Sequence, residues 1–334
     1  MPMTSPEVSV IVPVYKGIRF LREALESVRA QTFPGWECVC VDDGSKDGSG
    51  ALLDEIAATD SRIRVFHRAN GGTSVARNFA LREARGRYIA FLDEDDVYHP
   101  RMLETLHAAA ERTGADVVGC EFQTFVENAH PAWTDVPPAE DSWRIADRDG
   151  LCEWISRYYE GVPFAVWLNL YRRELVEGHE FPRGVRVEQD LYWHYTLLPR
   201  VGKYVRIPWT GYAWRSSASG GFLNPDPESL ISLPLTNRVI LETLSSMNLS
   251  SRQWQGLAER MSQFLKWGVW RPLHGGLLLD GVQTSRLREN LRALEPYGVT
   301  VERSLSVCKR FFWRLFMSTG WPGWVRSWKG RPRT

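Results

Sequence analysis

Apolar and polar positions along the first hundred residues follow the pattern of strands separated by helices. A continuous, β-branched run at 8–14 predicts a strand buried on both faces, 36–41 predicts a second strand, and a shorter run at 63–66 predicts a third. Apolar residues at helical spacing between 21 and 28 predict a first helix. Residues 73–84 predict another helix, with Thr73 or Ser74 as its N-cap. Strands alternating with helices predict an α/β fold with a largely parallel sheet. The apolar positions of the first helix are Leu21, Ala24, Leu25 and Val28.

The buried strand predicted at 88–92 ends abruptly in four consecutive carboxylates, residues 93–96. Like charges repel one another, and burying them unpaired is costly. A cation removes the conflict, and Mg²⁺ or Mn²⁺ held by carboxylates together with substrate phosphates is a common arrangement. The alternative is a solvated acidic turn before a helix opened by Pro100. A second acidic pair, Asp42 and Asp43, also follows a strand, and ligands bind at the carboxyl ends of parallel strands, so a site is favoured.

Five segments, in this order and spacing, resemble those of family 2 glycosyltransferases with the GT-A fold, of the bacterial surface-polysaccharide kind. They are 8–15 (VSVIVPVY), 27–32 (SVRAQT), 41–49 (VDDGSKDGS), 70–78 (NGGTSVARN) and 86–96 (GRYIAFLDEDD). The resemblance implies a GT-A (Rossmann-like), mixed and largely parallel sheet flanked by helices, here with a C-terminal helical extension. It covers the first third of the chain strongly, is fainter towards residue 220, and is absent beyond.

The resemblance also implies how a nucleotide-sugar donor is bound. Pro13 and Tyr15 would flank the base and ribose. Asp43, with the adjoining Gly44, would read the uracil edge, which favours a UDP-sugar. Arg77 would approach the nucleotide or its phosphates, because a guanidinium fork suits anionic oxygens. A helix-surface arginine is the alternative for Arg77.

Asp93 and Asp95 match the D-x-D signature of the family. Asp95 is expected to contact Mn²⁺ or Mg²⁺ directly, and Asp93 to contact the ribose, a metal-bound water or the metal itself. The metal would act as a Lewis acid on the departing diphosphate. Asp96 could instead cap the following helix.

A base must take the proton of the acceptor hydroxyl during transfer. Within 184–193, Asp190 falls where the family has its catalytic aspartate, but Gln189 replaces the usual glutamate, so Glu188 stays open as the base. An acidic helix start favoured by the macrodipole is the alternative. His194, one turn further, is expected to be packed rather than to bind metal.

Arg215 resembles the arginine that follows aromatic residues in the family, and we expect it to clamp the diphosphate. Residues 216–222, rich in Ser and Gly, could form a closing lid, although any linker has this composition. The Q-x-x-R-W signature of processive members is missing, which favours the addition of one sugar per encounter.

The composition fits one large α/β domain with a helical appendage, with 43% hydrophobic residues in 334. Five cysteines without C-x-x-C spacing favour reduced cytosol. We expect no signal peptide before the first strand. We also expect no spanning helix, because no uninterrupted apolar run reaches the roughly 18 residues that such a helix needs.

The last residues, 303–334, carry eight of the 41 Lys and Arg residues and no acid, so 33 bases face 40 acids in the remainder. Aromatic residues are interleaved with the bases. A basic, aromatic and amphipathic helix is typical of a membrane interface, although a helix docked on the core has similar amphipathicity. The acidic remainder makes nucleic acid an unfavourable partner.

Together these patterns predict a transferase domain at 1–222, with a nucleotide-sugar-binding half at 1–120 and an acceptor-side half at 121–222. A helical region at 223–302 and a basic, aromatic, amphipathic tail at 303–334 follow. The predicted enzyme is an inverting, metal-dependent hexosyltransferase. It moves a single sugar from a nucleotide-diphosphate donor to a lipid-linked or growing glycan in bacterial surface-polysaccharide synthesis. Its expected location is cytoplasmic and peripheral, at the inner face of the cell membrane.

Three alternatives remain at this point. A polyprenyl phosphate could itself be the acceptor. A catalytically degenerate domain could serve as a sugar-nucleotide-binding scaffold, which only the Gln189 departure favours. A nucleotidyltransferase shares the architecture, but its glycine-rich first loop is absent after Val14.

Overall fold

A computed structural model describes most of the chain. The described residues are 5–127, 129–133, 136–156, 165–185, 188–216, 227–265, 268–269, 273 and 279–300. The chain divides into two compact units. The first takes residues from 1–151, 163–184 and 193–218, and the second from 152–162, 185–192 and 219–334. The predicted domain limits at 222 and 302 and the predicted tail lie outside the described residues and stay predictions.

Four parallel strands form one half of the sheet in the first unit, in the order β3-β2-β1-β4. They are β1 (Val8–Val14), β2 (Trp36–Asp42), β3 (Ile63–His67) and β4 (Tyr88–Phe91). Every residue of β1, β2 and β4 is buried, as the continuous apolar runs predict for strands covered on both faces. Their carboxyl ends lie along one edge.

Helices are present around residues 21–28, at 73–84 and after residue 100, where the sequence places them, although two of their starts differ, and a further helix lies between β2 and β3. They are α1 (Leu21–Arg29), α2 (Ser49–Ala57) and α3 (Thr73–Glu83), and α4 (Met102–Thr113) follows the short strand β5 (Val97–Tyr98). The predicted N-cap at Thr73 or Ser74 is wrong, because Gly72 is the N-cap of α3 and has a φ of 88°. The start predicted at Pro100 is also displaced, since Arg101 is the N-cap of α4.

The other half of the sheet mixes directions and completes the predicted mixed α/β fold. It contains β6 (Val117–Val126), β7 (Arg144–Asp147), β8 (Asn169–Arg172) and β9 (Lys203–Ser216). From β4 the order continues β8-β6-β9-β5, and β7 also pairs with β9. Only the β6–β9 pair is parallel among these described pairs. We expect 132–149 to be irregular from sequence, but β7 lies there, because β9 supplies the partner that the local pattern does not reveal.

An aromatic cluster supports the end of β4 immediately before the acidic residues. Phe181 and Trp193 stack with ring centroids 4.7 Å apart and an interplanar angle of 4°. Phe91, the last residue of β4, meets both rings edge-on at 5.6 and 5.5 Å. Buried aromatic contacts of this kind stabilise a fold beyond their burial, so the strand end that carries the acids has a fixed support.

The second unit contains helices within 223–302, the region that the sequence predicts to be helical. They are α8 (Pro227–Leu244), α9 (Ser251–Leu265) and α10 (Gly281–Arg292). Three shorter helices lie earlier in the chain, namely α5 (Arg148–Ser156), α6 (Arg173–Val176) and α7 (Gln189–Leu197). Asn290 donates to the carbonyl oxygen of Ile231 at 3.0 Å, which ties α10 to α8. Among the described helices, none combines the length and apolar character needed to cross a membrane.

Candidate active site

The acidic residues form a turn directly after β4, and Asp96 anchors it. The carboxylate of Asp96 accepts the hydroxyl of Tyr212 and the backbone N–H of Arg215, each at 2.7 Å. The predicted capping of the next helix by Asp96 is therefore wrong, because that carboxylate binds β9 instead. Burial, followed by the neighbouring charges of Asp95 and Asp93, raises the pKa of Asp96 well above its usual range.

Burial and neighbouring carboxylates perturb the two central acids of the turn, Glu94 and Asp95. Burial, reinforced by Asp95 and Asp93, raises the pKa of Glu94 to about 8. Burial and the charge of Asp93 raise the pKa of Asp95 to about 6, although Arg215 acts in the other direction. Carboxylates held together at this cost favour a cation beside them.

This donor set fits a hard divalent cation that takes part of its coordination from phosphate oxygens. Mg²⁺-type sites use one or two carboxylates and substrate phosphates rather than a full protein cage. The described residues contain no cluster of three or more His, Cys, Asp or Glu side chains arranged to hold a metal on their own. Asp95 and Asp93 are the side chains that could hold Mn²⁺ or Mg²⁺.

Arg77 and Asp93, both predicted site residues, contact each other. The Arg77 guanidinium donates to Asp93 at 2.7 Å and lies over the Phe181 ring, 5.2 Å from its centroid. Arg77 is only 3% exposed, so the alternative of a helix-surface arginine is wrong. The adjacent Asn78 holds α3 in place, since its side chain bonds both the N–H and the carbonyl of Phe181, at 2.7 and 2.9 Å.

The contacts of Arg215 differ from those expected of a diphosphate clamp. Its guanidinium donates to the carbonyls of Asp95 at 2.7 Å and Glu127 at 3.0 Å, and to the Glu23 carboxylate. The residue is 3% exposed and lies between the rings of Phe20 and Phe125. Arg215 therefore stabilises the backbone of the acidic turn. The lid predicted at 216–222 lies outside the described residues beyond Ser216.

Asp43 orders the loop that leads into α3. Its carboxylate accepts the backbone N–H groups of Gly71 and Gly72, both at 2.8 Å, and the Asn70 side chain at 3.0 Å. Gly44 has a φ of 76°, and a Cβ there would lie 3.0 Å from the backbone nitrogen of Asn70, so the close approach of the two loops requires glycine. The predicted contact of Asp43 with uracil is untested.

Pro13 and Tyr15 lie where β1 runs beyond its neighbour. The last β1–β4 pair is Ile11 with Phe91, so the missing N–H of Pro13 breaks no ladder on that side. Tyr15 is 43% exposed, and its backbone N–H approaches Glu94 at 3.4 Å. The next residue, Lys16, has a φ of 59°, which is unusual for a residue with a side chain and marks a constrained loop. The first loop and the acidic turn are thus adjacent.

The candidate bases, Asp190 and Glu188, belong to the second unit. Asp190 lies in the first turn of α7, and Glu188 precedes the helix with a φ of 61°. The carbonyl of Glu188 accepts the N–H of Tyr192 at 2.9 Å. An acidic residue in a first helical turn is also what the macrodipole favours, so the choice between Asp190 and Glu188 stays a prediction.

His194 is packed, in agreement with the prediction. Its side chain is fully buried, its Nδ1 is 2.8 Å from the Tyr171 hydroxyl, and burial lowers its pKa to about 3. A histidine that stays neutral in an aromatic environment has a structural role.

Two further side chains near the site, Tyr212 and Ser74, are not among the residues predicted from sequence to form it. The hydroxyl of Tyr212 reaches both Asp96 and the backbone N–H of Asp93, the latter at 3.4 Å. The Oγ of Ser74, in the first turn of α3, is buried without a hydrogen-bond partner among the described residues. Ser74 could have been identified as a binding candidate, since polar groups at a helix N-terminus suit anions, whereas no local signal points to Tyr212.

A GT-A-type α/β domain with an acidic turn at the carboxyl end of β4 is the class of protein that this geometry defines. The sequence model described as Glycosyl transferase family 2 matches residues 9–176. The chain belongs to glycosyl transferase family 2, and the predicted family and enzyme class are confirmed.

Curated relatives agree with this assignment over part of their length. The chain is 38% identical over 188 residues to the uncharacterized glycosyltransferase EpsJ of Bacillus subtilis, covering 55% of this chain and 54% of EpsJ. It is 32% identical over 200 residues to the uncharacterized glycosyltransferase YibD of Escherichia coli, covering 58% of this chain and 56% of YibD. The chain thus matches little more than half the length of these relatives.

Solved structures agree with the fold. TarS 1–349 of S. aureus, in complex with UDP-GlcNAc, has a TM-score of 0.69 at 19% identity and covers 89% of this chain and 84% of its own. The mannosyltransferase PcManGT of Pyrobaculum calidifontis, in complex with GDP-Man and Mn²⁺, has a TM-score of 0.53 at 16% identity, covering 98% and 84%. At these identities the likeness concerns the fold alone.

Proposed function

We propose that this family 2 enzyme is an inverting, metal-dependent glycosyltransferase that moves a single sugar from a UDP-sugar to a glycan acceptor. The observation that carries the proposal is the acidic turn, where burial and mutual repulsion raise the pKa of Asp95 to about 6 and that of Glu94 to about 8. Such a turn gains stability when a cation and a diphosphate bind beside it.

The donor is proposed to bind along the edge formed by β1, β2 and β4. Pro13 and Tyr15 flank the base and ribose, and Asp43 with Gly44 forms the floor. Two roles of Asp43 are compatible, because a carboxylate has about four lone-pair sites and can accept from the loop and from an imide N–H together. TarS has this fold and was solved with UDP-GlcNAc, whereas PcManGT has it and was solved with GDP-Man, so the proposed preference for uridine rests on Asp43.

Arg77 is proposed to change partner when the donor binds. In the free enzyme its guanidinium neutralises Asp93. A diphosphate within reach offers stronger, bidentate acceptors, and Asp93 is then released towards the ribose or the metal.

Mn²⁺ or Mg²⁺, held by Asp95 and Asp93 with the diphosphate oxygens, would neutralise charge on the leaving group as a Lewis acid. PcManGT, solved with Mn²⁺, offers a parallel in the same fold. Arg215 contributes indirectly by holding the backbone carbonyl of Asp95, which keeps the turn in its bent form.

The chemical step is a direct displacement at the anomeric carbon. The acceptor oxygen forms the new bond to that carbon as the bond to the phosphate oxygen breaks, and the electron pair leaves with the nucleoside diphosphate. The proton of the acceptor hydroxyl passes to a carboxylate base, for which we propose Asp190 and keep Glu188 as the alternative. Attack from the face opposite the leaving group inverts the configuration.

The acceptor is proposed to be a lipid-linked or growing glycan at the inner face of a bacterial membrane, with the tail 303–334 as a peripheral membrane contact. The basic and aromatic composition of that tail supports membrane contact. A polyprenyl phosphate acceptor and a non-catalytic sugar-nucleotide scaffold remain the alternatives.

Calorimetric titration of the full chain with UDP, GDP, CDP and ADP, with and without Mn²⁺, tests the donor proposal. Of the four nucleotides, we expect only UDP to bind, and we expect its affinity to depend on Mn²⁺. Preference for another nucleotide would change the role proposed for Asp43. If none of the four nucleotides binds, the proposed donor and the proposed glycosyltransferase activity are both refuted.

Replacing Asp190 by Asn tests the base separately. We expect turnover to fall by about 10²–10⁴-fold while UDP affinity is kept, because a general base contributes about this much. Glu188→Gln is the matched control, with near-normal turnover expected. The reverse pattern would make Glu188 the base.

A further inference from the structure

An aromatic face lies beside the acidic turn and is separate from the residues assigned to the donor. We define it as Phe122, Trp167, Tyr212 and Trp214. Cross-strand register pairs Phe122 with Tyr212 and Thr124 with Trp214, so these side chains share one face of the β6–β9 pair. Trp167 joins them, stacked on Tyr212 at 4.2 Å and edge-on to Phe122 at 5.3 Å.

The inner part of the aromatic face is buried and its outer part is open. Tyr212 is fully buried, whereas Phe122 and Trp214 are 38% and 41% exposed. Large exposed aromatic side chains that are firmly supported from below are typical of binding surfaces. The Phe122–Tyr212 pair and the Thr124–Trp214 pair are separated by two residues along each strand, or roughly 7 Å.

Tyr212 joins this face to the acidic turn. Its ring belongs to the aromatic face, while its hydroxyl bonds Asp96 at 2.7 Å and receives the N–H of Asp93 at 3.4 Å. The backbone N–H of Arg215, next to Trp214, also bonds Asp96. The position of Trp214 is therefore fixed on both sides by contacts to the turn.

We infer that the aromatic face is the acceptor-binding surface and that it takes the pyranose rings of an oligosaccharide. This inference rests on the proposed function. One face of a pyranose presents C–H groups with partial positive charge, and the face of an aromatic ring is negative, so the two stack. An acceptor held there lies next to the turn at which the donor's diphosphate is proposed to bind.

The uncharged composition of the aromatic face favours a saccharide over a membrane as its ligand. The six residues that alternate onto it, at 122, 124, 126, 212, 214 and 216, contain no charged side chain. A surface that binds anionic lipid carries Lys or Arg beside its aromatic residues. Thr124 instead offers a hydroxyl between the rings, which suits the hydroxyl groups of a sugar.

The test uses the full chain on an array of pyranose oligosaccharides containing hexoses, N-acetylhexosamines and deoxyhexoses, with UDP and Mn²⁺ present. We expect at least one oligosaccharide to be retained, with retention about tenfold weaker in Trp214→Ala, as the loss of a stacked ring implies. Trp214→Phe keeps a ring and should restore most of the retention. Ile145→Ala removes an exposed apolar side chain from β7 of the same sheet and should change nothing.

UDP affinity, measured on the same proteins, separates the two proposals. Unchanged UDP affinity in Trp214→Ala shows that the variant is folded. Retention that survives Trp214→Ala, or the absence of any retained oligosaccharide from wild type that binds UDP, overturns the inference alone. Loss of UDP binding in wild type overturns the proposed function instead. Binding to anionic phospholipid vesicles that depends on Trp214 would make the face a membrane contact and also overturn the inference.

Discussion

Replacing His194 by Asn should remove part of the acid sensitivity of this protein. The side chain is fully buried among Tyr171, Tyr195 and Tyr204, and burial, followed by the charge of His179, lowers its pKa from 6.5 to about 3. The folded protein thus keeps this ring neutral, whereas the unfolded chain protonates it below about pH 6.5.

The sign and the size of the effect follow from linkage. Because the unfolded state binds the extra proton, stability is full above pH 6.5 and falls as the pH drops towards 3. The interval between 6.5 and about 3 corresponds to about 5 kcal/mol in the free energy of unfolding, of which about 2 kcal/mol is lost between neutral pH and pH 5.

Urea unfolding near pH 7 and pH 5, followed by tryptophan fluorescence, measures the effect. Asn can still bond the Tyr171 hydroxyl, and the variant should lose about 2 kcal/mol less than wild type over this interval. His130→Asn is the control, because its side chain is 91% exposed. Equal pH dependence in the His194 variant and in wild type would refute the reasoning.

Three further expectations can be checked on the same protein. Gly86→Ala should unfold at lower urea and cost about 1–3 kcal/mol, because the added Cβ would lie 2.6 Å from the backbone nitrogen of Ser9; a stability within error of wild type would contradict this. Hydrogen bonds to Asp42 and Asp54 raise the pKa of His67. His67 therefore stabilises the folded protein below its unfolded-state pKa, and this contribution is lost as the pH rises through its folded-state pKa. Melting temperatures of His67→Gln should therefore decline less than wild type between pH 6 and 8, and parallel curves would exclude the pairing. Asp95→Ala should remove the Mn²⁺-dependent part of UDP affinity while metal-free binding persists, and a preserved Mn²⁺ effect would exclude Asp95 as a ligand.

The outcome at the predicted site residues depends on how local each prediction is. Asp93 and Asp95 follow a buried strand, and their position at the sheet edge results from the parallel arrangement that the alternating pattern predicts. Arg215 is different, because its environment includes Glu23, which lies 192 residues earlier in the chain. No spacing in the sequence announces that contact, so the same arginine that suits a phosphate clamp is a buried support.

The sequence by itself determined the strands β1, β2 and β4, the helices α1 and α3, and the acids at the carboxyl ends of β2 and β4. These features depend on residues near one another in the chain, where periodicity and strand-end position are sufficient. Only the tertiary structure decided that Asp96 bonds Tyr212, 116 residues away, that β7 forms on β9, and that an aromatic face lies beside the acids. The physical reason is register. Cross-strand neighbours follow from how distant strands align, and that alignment results from packing of the whole sheet rather than from any one segment.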